Sequence, residues 1–502
     1  MVLTLVLHMS QGAMGGPSRV SLDARTTSGG GMGPGLRRHT LGRTELLANN
    51  IAETAPAIAT FFVMGSIVAV AGVGTPLVVL IAGIGFFLHA NVNAEYAKVM
   101  PSAGFYSTYN ARVFGRQTGA IIACAYMLGM ACFYAGVYLQ IGVWVSIAVQ
   151  AIFGVSLDWF IPTIIMEAVV TILLLRGVRV SVRVAVAMFT FEILVLCVGA
   201  VAMLVHHSAA ISGQGFNPTL IKGGLGGFGL GFPLAIFLLL GATGSSPLAE
   251  ETKNPRRNLP FAIRTATVVG IAIYVIMAWV EGIGFQNNSG LLVKAAYPFI
   301  AGATNALGPL KYVMYIAGFS SALGVMLATG NAGSRVLFNT AREGLMPRVF
   351  SRTHPTWRTP WVAMLFPNIA VMILTLILGG FVGGGNAFDY AVTLATDILV
   401  VVFIVTNISF IVYGLRAKGV TFSWWRHGAL PALGVVALGY PLYEGVAPSQ
   451  PTPYNVYGLL IIFAYVIAFA YVYFRRHSGH RVGTMLAVDE APGAAQVQPA
   501  SS

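Results

Sequence analysis

Long apolar stretches follow one another along most of the chain, and they constrain the fold more than any other feature. Each is of about the length, roughly 20 residues, that an α-helix needs to cross the hydrocarbon core of a bilayer. The stretches are residues 46–72, 75–96, 118–148, 159–176, 183–205, 228–250, 262–284, 312–334, 361–381, 389–413, 429–446 and 455–474. Because only 9% of the 502 residues are charged, the sequence predicts an all-α polytopic membrane protein with 12 transmembrane helices.

The distribution of basic residues predicts the orientation of these helices. If both termini are cytoplasmic, all 29 lysines and arginines except Lys222, Lys294 and Lys311 fall on the cytoplasmic side. This asymmetry follows the positive-inside rule, so the net charge of +13 reflects topology rather than binding of nucleic acid. We therefore expect a multi-pass protein of the cell membrane (plasma or inner membrane). The three cysteines lie within apolar stretches, which predicts neither disulfides nor a metal site.

The sixth predicted helix is interrupted near mid-bilayer depth by the sequence GATGSSP, residues 241–247. Glycines and a proline break the i→i−4 hydrogen-bond ladder and free backbone N–H and C=O groups. In lipid each such group costs several kcal/mol, so a break is tolerated only where it is buried in protein or lines a cavity. The pair Ser246 and Pro247 predicts the start of a second half-helix. A proline kink without a site is the alternative interpretation.

A matching interruption occurs in the first predicted helix, where Glu53 precedes the sequence Thr54-Ala55-Pro56-Ala57. Helices 1 and 6 would be corresponding members of two five-helix halves that cross the membrane in opposite directions. Paired discontinuous helices in an inverted repeat are typical of secondary transporters and indicate the substrate site.

Four stretches carry a resemblance to a known family. They are Ala249 to Pro260 (AEETKNPRRNLP), Glu95 to Tyr106, Asn331 to Pro347, and His354 to Pro360. In combination they resemble the signatures of permeases of the amino acid–polyamine–organocation (APC) superfamily, over residues 40–475. The resemblance implies a leucine-transporter-like fold, a 5+5 inverted repeat plus two extra helices, with helices 1 and 6 discontinuous. It also implies transport of amino acids or small amines by alternating access.

Two departures from the family pattern concern the substrate. Thr243 stands where many members carry an acid, and Ala55-Pro56-Ala57 replaces a common glycine-x-glycine. The predicted domains are a disordered cytoplasmic tail at 1–42, a transporter domain at 43–475 and a second disordered cytoplasmic tail at 476–502.

The substrate site is predicted at the two breaks. Freed N–H groups there are expected to bind a substrate carboxylate, and Gly241 is expected to allow its close approach. By its position in the family pattern, Phe237 would cap the bound molecule. The predicted substrate-binding residues are Thr54, Ala55, Pro56, Ala57, Phe237, Gly241, Ala242, Thr243 and Gly244.

Acids inside the membrane are expected to be functional, because a charge there is costly. Glu53, at the first break, and Glu192, in the fifth helix, are the predicted coupling residues, as a partner for a substrate amine or as proton carriers. Asp397, Glu167 and Glu281 are weaker candidates. Glu250 and Glu251 are expected to meet a basic loop in a structural or gating role.

The predicted function is that of a secondary active transporter for an amino acid or related amine, with a proton as the coupling ion and lipid as its other partner. A polyamine or amine exchanger and a transporter-derived nutrient sensor without net transport remain alternatives, as does a channel. No enzyme motif is found: HExxH, a P-loop and a nucleophile with a basic partner are all missing from the sequence. No catalytic residue, cofactor or metal is predicted.

Overall fold

The structure is a computed structural model that describes residues 40–176, 178–417, 422–475 and 482–483. Most of the two predicted tails, 1–42 and 476–502, lies outside the described residues. The described parts of those tails make contacts. Thr40 and Leu41 donate backbone hydrogen bonds to Glu251 O, at 2.8 and 2.9 Å. Gly483 donates its N–H to Glu343 Oε1 at 3.1 Å.

Helices make up nearly all of the described chain, because its apolar runs leave backbone groups to be satisfied within each segment. The α-helices are α1 Arg43–Thr54, α2 Pro56–Ile58, α3 Met64–Ala71, α4 Thr75–Val99, α5 Tyr106–Phe114, α6 Arg116–Phe153, α7 Phe160–Arg176, α8 Val178–His206, α9 Gly224–Phe237, α10 Pro255–Gly284, α11 Ser289–Leu292, α12 Pro298–Leu307, α13 Lys311–Arg342, α14 Trp361–Val382, α15 Gly384–Arg416, α16 Leu430–Gly445 and α17 Tyr457–Phe474. Short 3-10 or π-helical turns connect several of them. The described residues contain no strand, only an isolated bridge between Leu41 and Thr252.

Within the described residues, 8 helices are long and apolar enough to cross a membrane, or up to 9 if the bent pair Gly224–Phe237 and Leu240–Glu251 counts as one crossing. The first of them, Arg43–Val99, is a 57-residue segment that contains α1 to α4 and the short turns between them. It covers two predicted crossings. Helices α7 and α16 coincide with two further predicted crossings. With 17 and 16 residues, they are shorter than the 8 helices counted above. The total of twelve therefore stays a prediction.

Two antiparallel pairs form the most extensive contacts, α4 with α10 and α6 with α15. The outward faces of peripheral helices carry large apolar side chains, such as Phe153, Phe381 and Phe474, which are 72%, 85% and 83% exposed. Such a surface suits lipid rather than water, and with the apolar helices it makes this a multi-pass membrane protein.

One end of the bundle, which we call the basic end, is where α4 and α13 finish and α1 and α10 begin. Glu95 lies there among three cations: Lys98 at 2.7 Å, Arg426 at 2.6 Å and Arg264. Arg264 belongs to α10 and Arg426 to the segment before α16, so the Glu95 carboxylate links the end of α4 to both.

Candidate functional site: two helix breaks in contact

The first break lies between Thr54, where α1 ends, and Pro56, where α2 begins. Ala55 between them has φ 51°, in the left-handed region that residues with a side chain rarely adopt. The freed carbonyl of Thr54 accepts a hydrogen bond from the Tyr274 hydroxyl on α10. Strain of this kind persists only where the surroundings enforce it, and it concentrates at functional sites.

The second break follows Phe237, where α9 ends. Two 3-10 turns, Leu240–Thr243 and Ser246–Glu251, replace the expected second half-helix, and α10 begins only at Pro255. The chain bends by 42° between α9 and the segment Leu240–Glu251.

The two breaks touch each other. The Ser245 N–H donates to Asn50 Oδ1 at 2.7 Å, which links the second break to the last turns of α1. A side chain on Gly241 would overlap the backbone of Glu53 and Thr54, and one on Gly244 would overlap the Glu53 carboxyl. The missing side chain of Gly241 therefore makes room for the first break, and its role in the approach of substrate stays a prediction.

The expectation of free backbone donors needs correction in this conformation. Ala55 donates to Ala52 O at 3.1 Å, Ala242 to Leu239 O at 2.9 Å, and Gly244 to Gly241 O at 3.0 Å. The Ala57 N–H donates to Glu192 Oε2 at 3.3 Å. Short turns and one carboxylate have taken up these donors, because an unsatisfied N–H would be costly in the bundle interior.

Several side-chain polar atoms at the breaks, by contrast, lack a hydrogen-bond partner. Within the described part of the chain, five such buried atoms have no hydrogen-bond partner: Asn49 Nδ2, Asn50 Nδ2, Glu53 Oε2, Ser245 Oγ and Ser246 Oγ. A buried polar group left unsatisfied costs about 1–3 kcal/mol, so a cluster of them calls for an explanation. A polar ligand that joins these atoms would supply the missing partners.

A small cavity of about 20 Å³ lies beside Glu53. It has room for roughly one water molecule. Among the predicted residues, Glu53, Thr243 and Gly244 line it, and Tyr126 of α6 lines it as well. The cavity lining excludes six predicted residues, Thr54, Ala55, Pro56, Ala57, Gly241 and Ala242, which are all buried. Of these, Gly241 packs against the backbone of Thr54.

Several residues that line the cavity were missed by sequence reasoning, among them Tyr106, Met130 and Phe403. Tyr106 begins α5, and its hydroxyl lies 2.9 Å from His89 Nε2 and 3.0 Å from Asn93 Nδ2 on α4. The only signal for Tyr106 was its place in the family-like stretch 95–106, because its approach to the cavity depends on how α5 folds back.

Phe237 lies in an aromatic layer next to the cavity. Its ring centroid is 5.1 Å from that of Phe133, which lines the cavity, and 6.0 Å from that of Phe388. Phe62, beyond the first break, is 4.9 Å from Phe388. The predicted capping residue thus belongs to a layer that spans α6, α9 and α15 and shields the site from the end opposite the basic end.

At the basic end, the second break is fastened to α13. Glu251 accepts a hydrogen bond from Arg335 Nε at 2.7 Å, with the two side chains only 5% and 2% exposed. Glu250 pairs with Arg342. The two acids thus meet the last turns of a helix, where a basic loop was expected.

The three weaker acidic candidates, Asp397, Glu281 and Glu167, do not line the small cavity. Asp397 on α15 and Glu281 on α10 are buried, and neither has a partner for its two oxygens among the described residues. Glu167 accepts from the Thr171 hydroxyl at 2.8 Å. Among the residues described, no group of three or more His, Cys, Asp or Glu side chains is placed to hold a metal ion.

Comparison with known proteins agrees with this architecture. The family model "Amino acid permease" matches residues 46–480. The branched-chain amino acid permease BcaP of Bacillus subtilis (strain 168) is 27% identical, over 61% of this chain and 68% of its own. The methylthioribose transporter of the same organism is 25% identical, over 80% of this chain and 88% of its own.

Among solved structures, Mhp1, a nucleobase-cation-symport-1 family transporter with bromovinylhydantoin bound, aligns with a TM-score of 0.50. The alignment covers 88% of this chain and 95% of that one at 15% identity, which shows a shared, leucine-transporter-like fold and nothing about the substrate. The family match over most of the chain confirms the resemblance drawn from the sequence. The chain belongs to the amino acid permease family of the APC superfamily, whose members are membrane transporters.

Proposed function

We propose that this protein is a secondary active transporter that moves an amino acid or related small amine across the cytoplasmic membrane by alternating access. A proton is the coupling ion, and the transporter domain (43–475) has 12 crossings with both termini in the cytoplasm. The observation that carries the proposal is the contact between the two helix breaks, where Asn50 Nδ2, Glu53 Oε2 and Ser245 Oγ are buried without a hydrogen-bond partner. The description of the matching family and the name of its relative BcaP support an amino acid as the substrate class.

The cluster suits both ends of an amino acid. The Glu53 carboxylate can accept hydrogen bonds from a substrate ammonium group, and it lines the cavity. The Asn49 and Asn50 amides and the hydroxyls of Ser245 and Ser246 can donate to a carboxylate. Charge-assisted hydrogen bonds of this kind contribute about 1.5–3 kcal/mol each.

Alternating access requires the contact between the breaks to open and close. The breaks supply hinges, since Ala55 and the 3-10 turns lack the continuous hydrogen-bond ladder of a helix. The Glu251–Arg335 pair at the basic end and the aromatic layer around Phe237 at the other end lie on opposite sides of the cavity, where two gates are needed.

Purified protein in proteoliposomes tests this function against a panel of radiolabelled amino acids and polyamines. We expect saturable uptake of at least one amino acid without ATP, and greater accumulation under an inwardly directed proton gradient than under a sodium gradient. Protein-free liposomes serve as the control.

Failure of the whole panel to produce uptake, exchange or thermal stabilisation would contradict the proposal. Exchange of external for internal substrate, with no net uptake, would instead support the exchanger.

A further inference from the structure

A second, larger cavity lies next to the site. It has a volume of about 220 Å³ and lies between α6, α13 and α14. It shares two lining residues, Tyr126 and Met130, with the small cavity beside Glu53. The side chains of Tyr126 and Met130 therefore border both spaces.

Two side chains of α6 border both cavities. Tyr126 and Met130 are four residues apart on α6 and so lie on the same face of that helix. Methionine is unbranched and adapts easily to a changed environment. Behind them, the Tyr134 hydroxyl donates to Thr329 O at 2.8 Å and anchors the wall of the larger cavity. Joining the two cavities would require these two side chains to rotate.

The two cavities differ in volume and therefore in the size of the chemical group that each can hold. The small one holds roughly one water molecule, so it cannot take a side chain of any size. The larger one exceeds the roughly 150 Å³ that is sufficient for benzene in an engineered protein cavity. Its far wall is largely apolar and includes Ala363, Pro367 and Val371 of α14. A leucine- or phenylalanine-sized group fits this space, and a charged group does not.

We propose that the larger cavity receives the side chain of the transported molecule, which selects amino acids with large apolar side chains over small ones. The inference rests on the proposed function. Direct contact with the site through Tyr126 and Met130 favours the substrate as occupant over an acyl chain from the bilayer. The specificity-determining residues are Tyr126, Met130, Ala363 and Val371.

Filling the cavity from its far wall tests the proposal. Val371→Phe and Ala363→Leu place bulk in the larger cavity but do not touch the small one. Ile373→Phe, on the same helix at a position that is 54% exposed, is the matched control. The measurement is inhibition of labelled-substrate uptake by glycine, alanine, leucine and phenylalanine, expressed as the ratio of the leucine to the alanine inhibition constant.

We expect wild type and Ile373→Phe to favour leucine and phenylalanine, and each filling variant to lose that preference by about tenfold or more. Met130→Ala, which widens the connection and creates no clash, should shift the preference further toward phenylalanine. It keeps the proposal testable if a filling variant does not fold.

An unchanged ratio in the folded filling variants, or an equal loss for all four amino acids, would overturn the inference and leave an acyl chain as the occupant. Both outcomes differ from failure of the proposed function, in which wild type itself takes up nothing from the panel.

Discussion

Glu192 and Glu53 are the two acids that the structure brings to the first break, although 139 positions separate them in the chain. Glu192 is 3% exposed and accepts a hydrogen bond from the Ala57 N–H, so its carboxyl contacts the backbone of the first break directly. Glu53 is 7% exposed and lines the cavity. Glu192 therefore contacts the backbone of the first break and Glu53 lines the small cavity, and this placement is compatible with the coupling and binding roles proposed above.

Replacement of Glu192 by glutamine should separate coupling from binding. The amide oxygen can still accept the Ala57 N–H, but the side chain no longer takes up or releases a proton. We expect Glu192→Gln to lose accumulation above the level reached without a proton gradient, while exchange of internal for external substrate persists. Glu45→Gln, an exposed acid on α1, is the control. Accumulation that follows sodium and is the same in Glu192→Gln as in wild type would refute a coupling role.

At the scale of elements, the two broken helices form one unit. Asn50 on α1 accepts a hydrogen bond from the Ser245 N–H, and Tyr274 on α10 donates one to the Thr54 carbonyl. Gly241, which has no side chain, allows the two breaks to come into contact. Interiors are close-packed, so movement of one break must be transmitted to the other. This coupling follows from contacts that neither broken helix makes alone.

Addition of one methyl group at Gly241 should test that unit. In Gly241→Ala the new group meets the backbone of Glu53 and Thr54, which cannot rotate away as a side chain can. We expect a loss of about 1–3 kcal/mol of stability together with loss of substrate binding, measured by thermal unfolding and by uptake. Gly380→Ala on α14, where the methyl group meets nothing within 4 Å, is the matched control. Wild-type stability and affinity in Gly241→Ala would show that the breaks do not pack as described.

At the scale of the whole molecule, the basic end is held by contacts from three distant parts of the chain. Arg335 near the end of α13 binds Glu251 after the second break. The backbone of Thr40 and Leu41, just before α1, binds the same segment: both donate to Glu251 O, and Lys253 donates to Leu41 O at 2.8 Å. The opening that the proposed alternating access requires at this end would separate these parts, so we expect the buried ion pair to act as a latch that keeps the end closed.

A double-mutant cycle on the Glu251–Arg335 pair should measure the strength of that latch. Each of Glu251→Gln and Arg335→Gln leaves a buried partner without its counter-charge, which costs about 3–5 kcal/mol. The double variant should lose less than the sum of the two single losses, as measured by thermal unfolding in detergent. Exposed Arg352→Gln is the control. Additive losses would mean that the two side chains do not interact.

The sequence alone determined the class of the protein, because the cost of unpaired backbone groups in lipid leaves few folds for so many apolar runs. It also located both interruptions, since proline and glycine disrupt helices through local geometry that requires no knowledge of neighbours. The family-like stretches, Ala249 to Pro260 above all, pointed to the permease family, which the comparison confirmed.

Only the tertiary structure decided what each residue at the breaks contacts. Gly241 faces the backbone of Glu53, Ser245 bonds to Asn50, and Tyr106 enters the cavity from a helix that folds back after α4. These contacts join residues that are distant along the chain and depend on how helices pack. Local propensity and hydrophobic pattern do not encode that packing, whereas they do encode where a helix begins, breaks and ends.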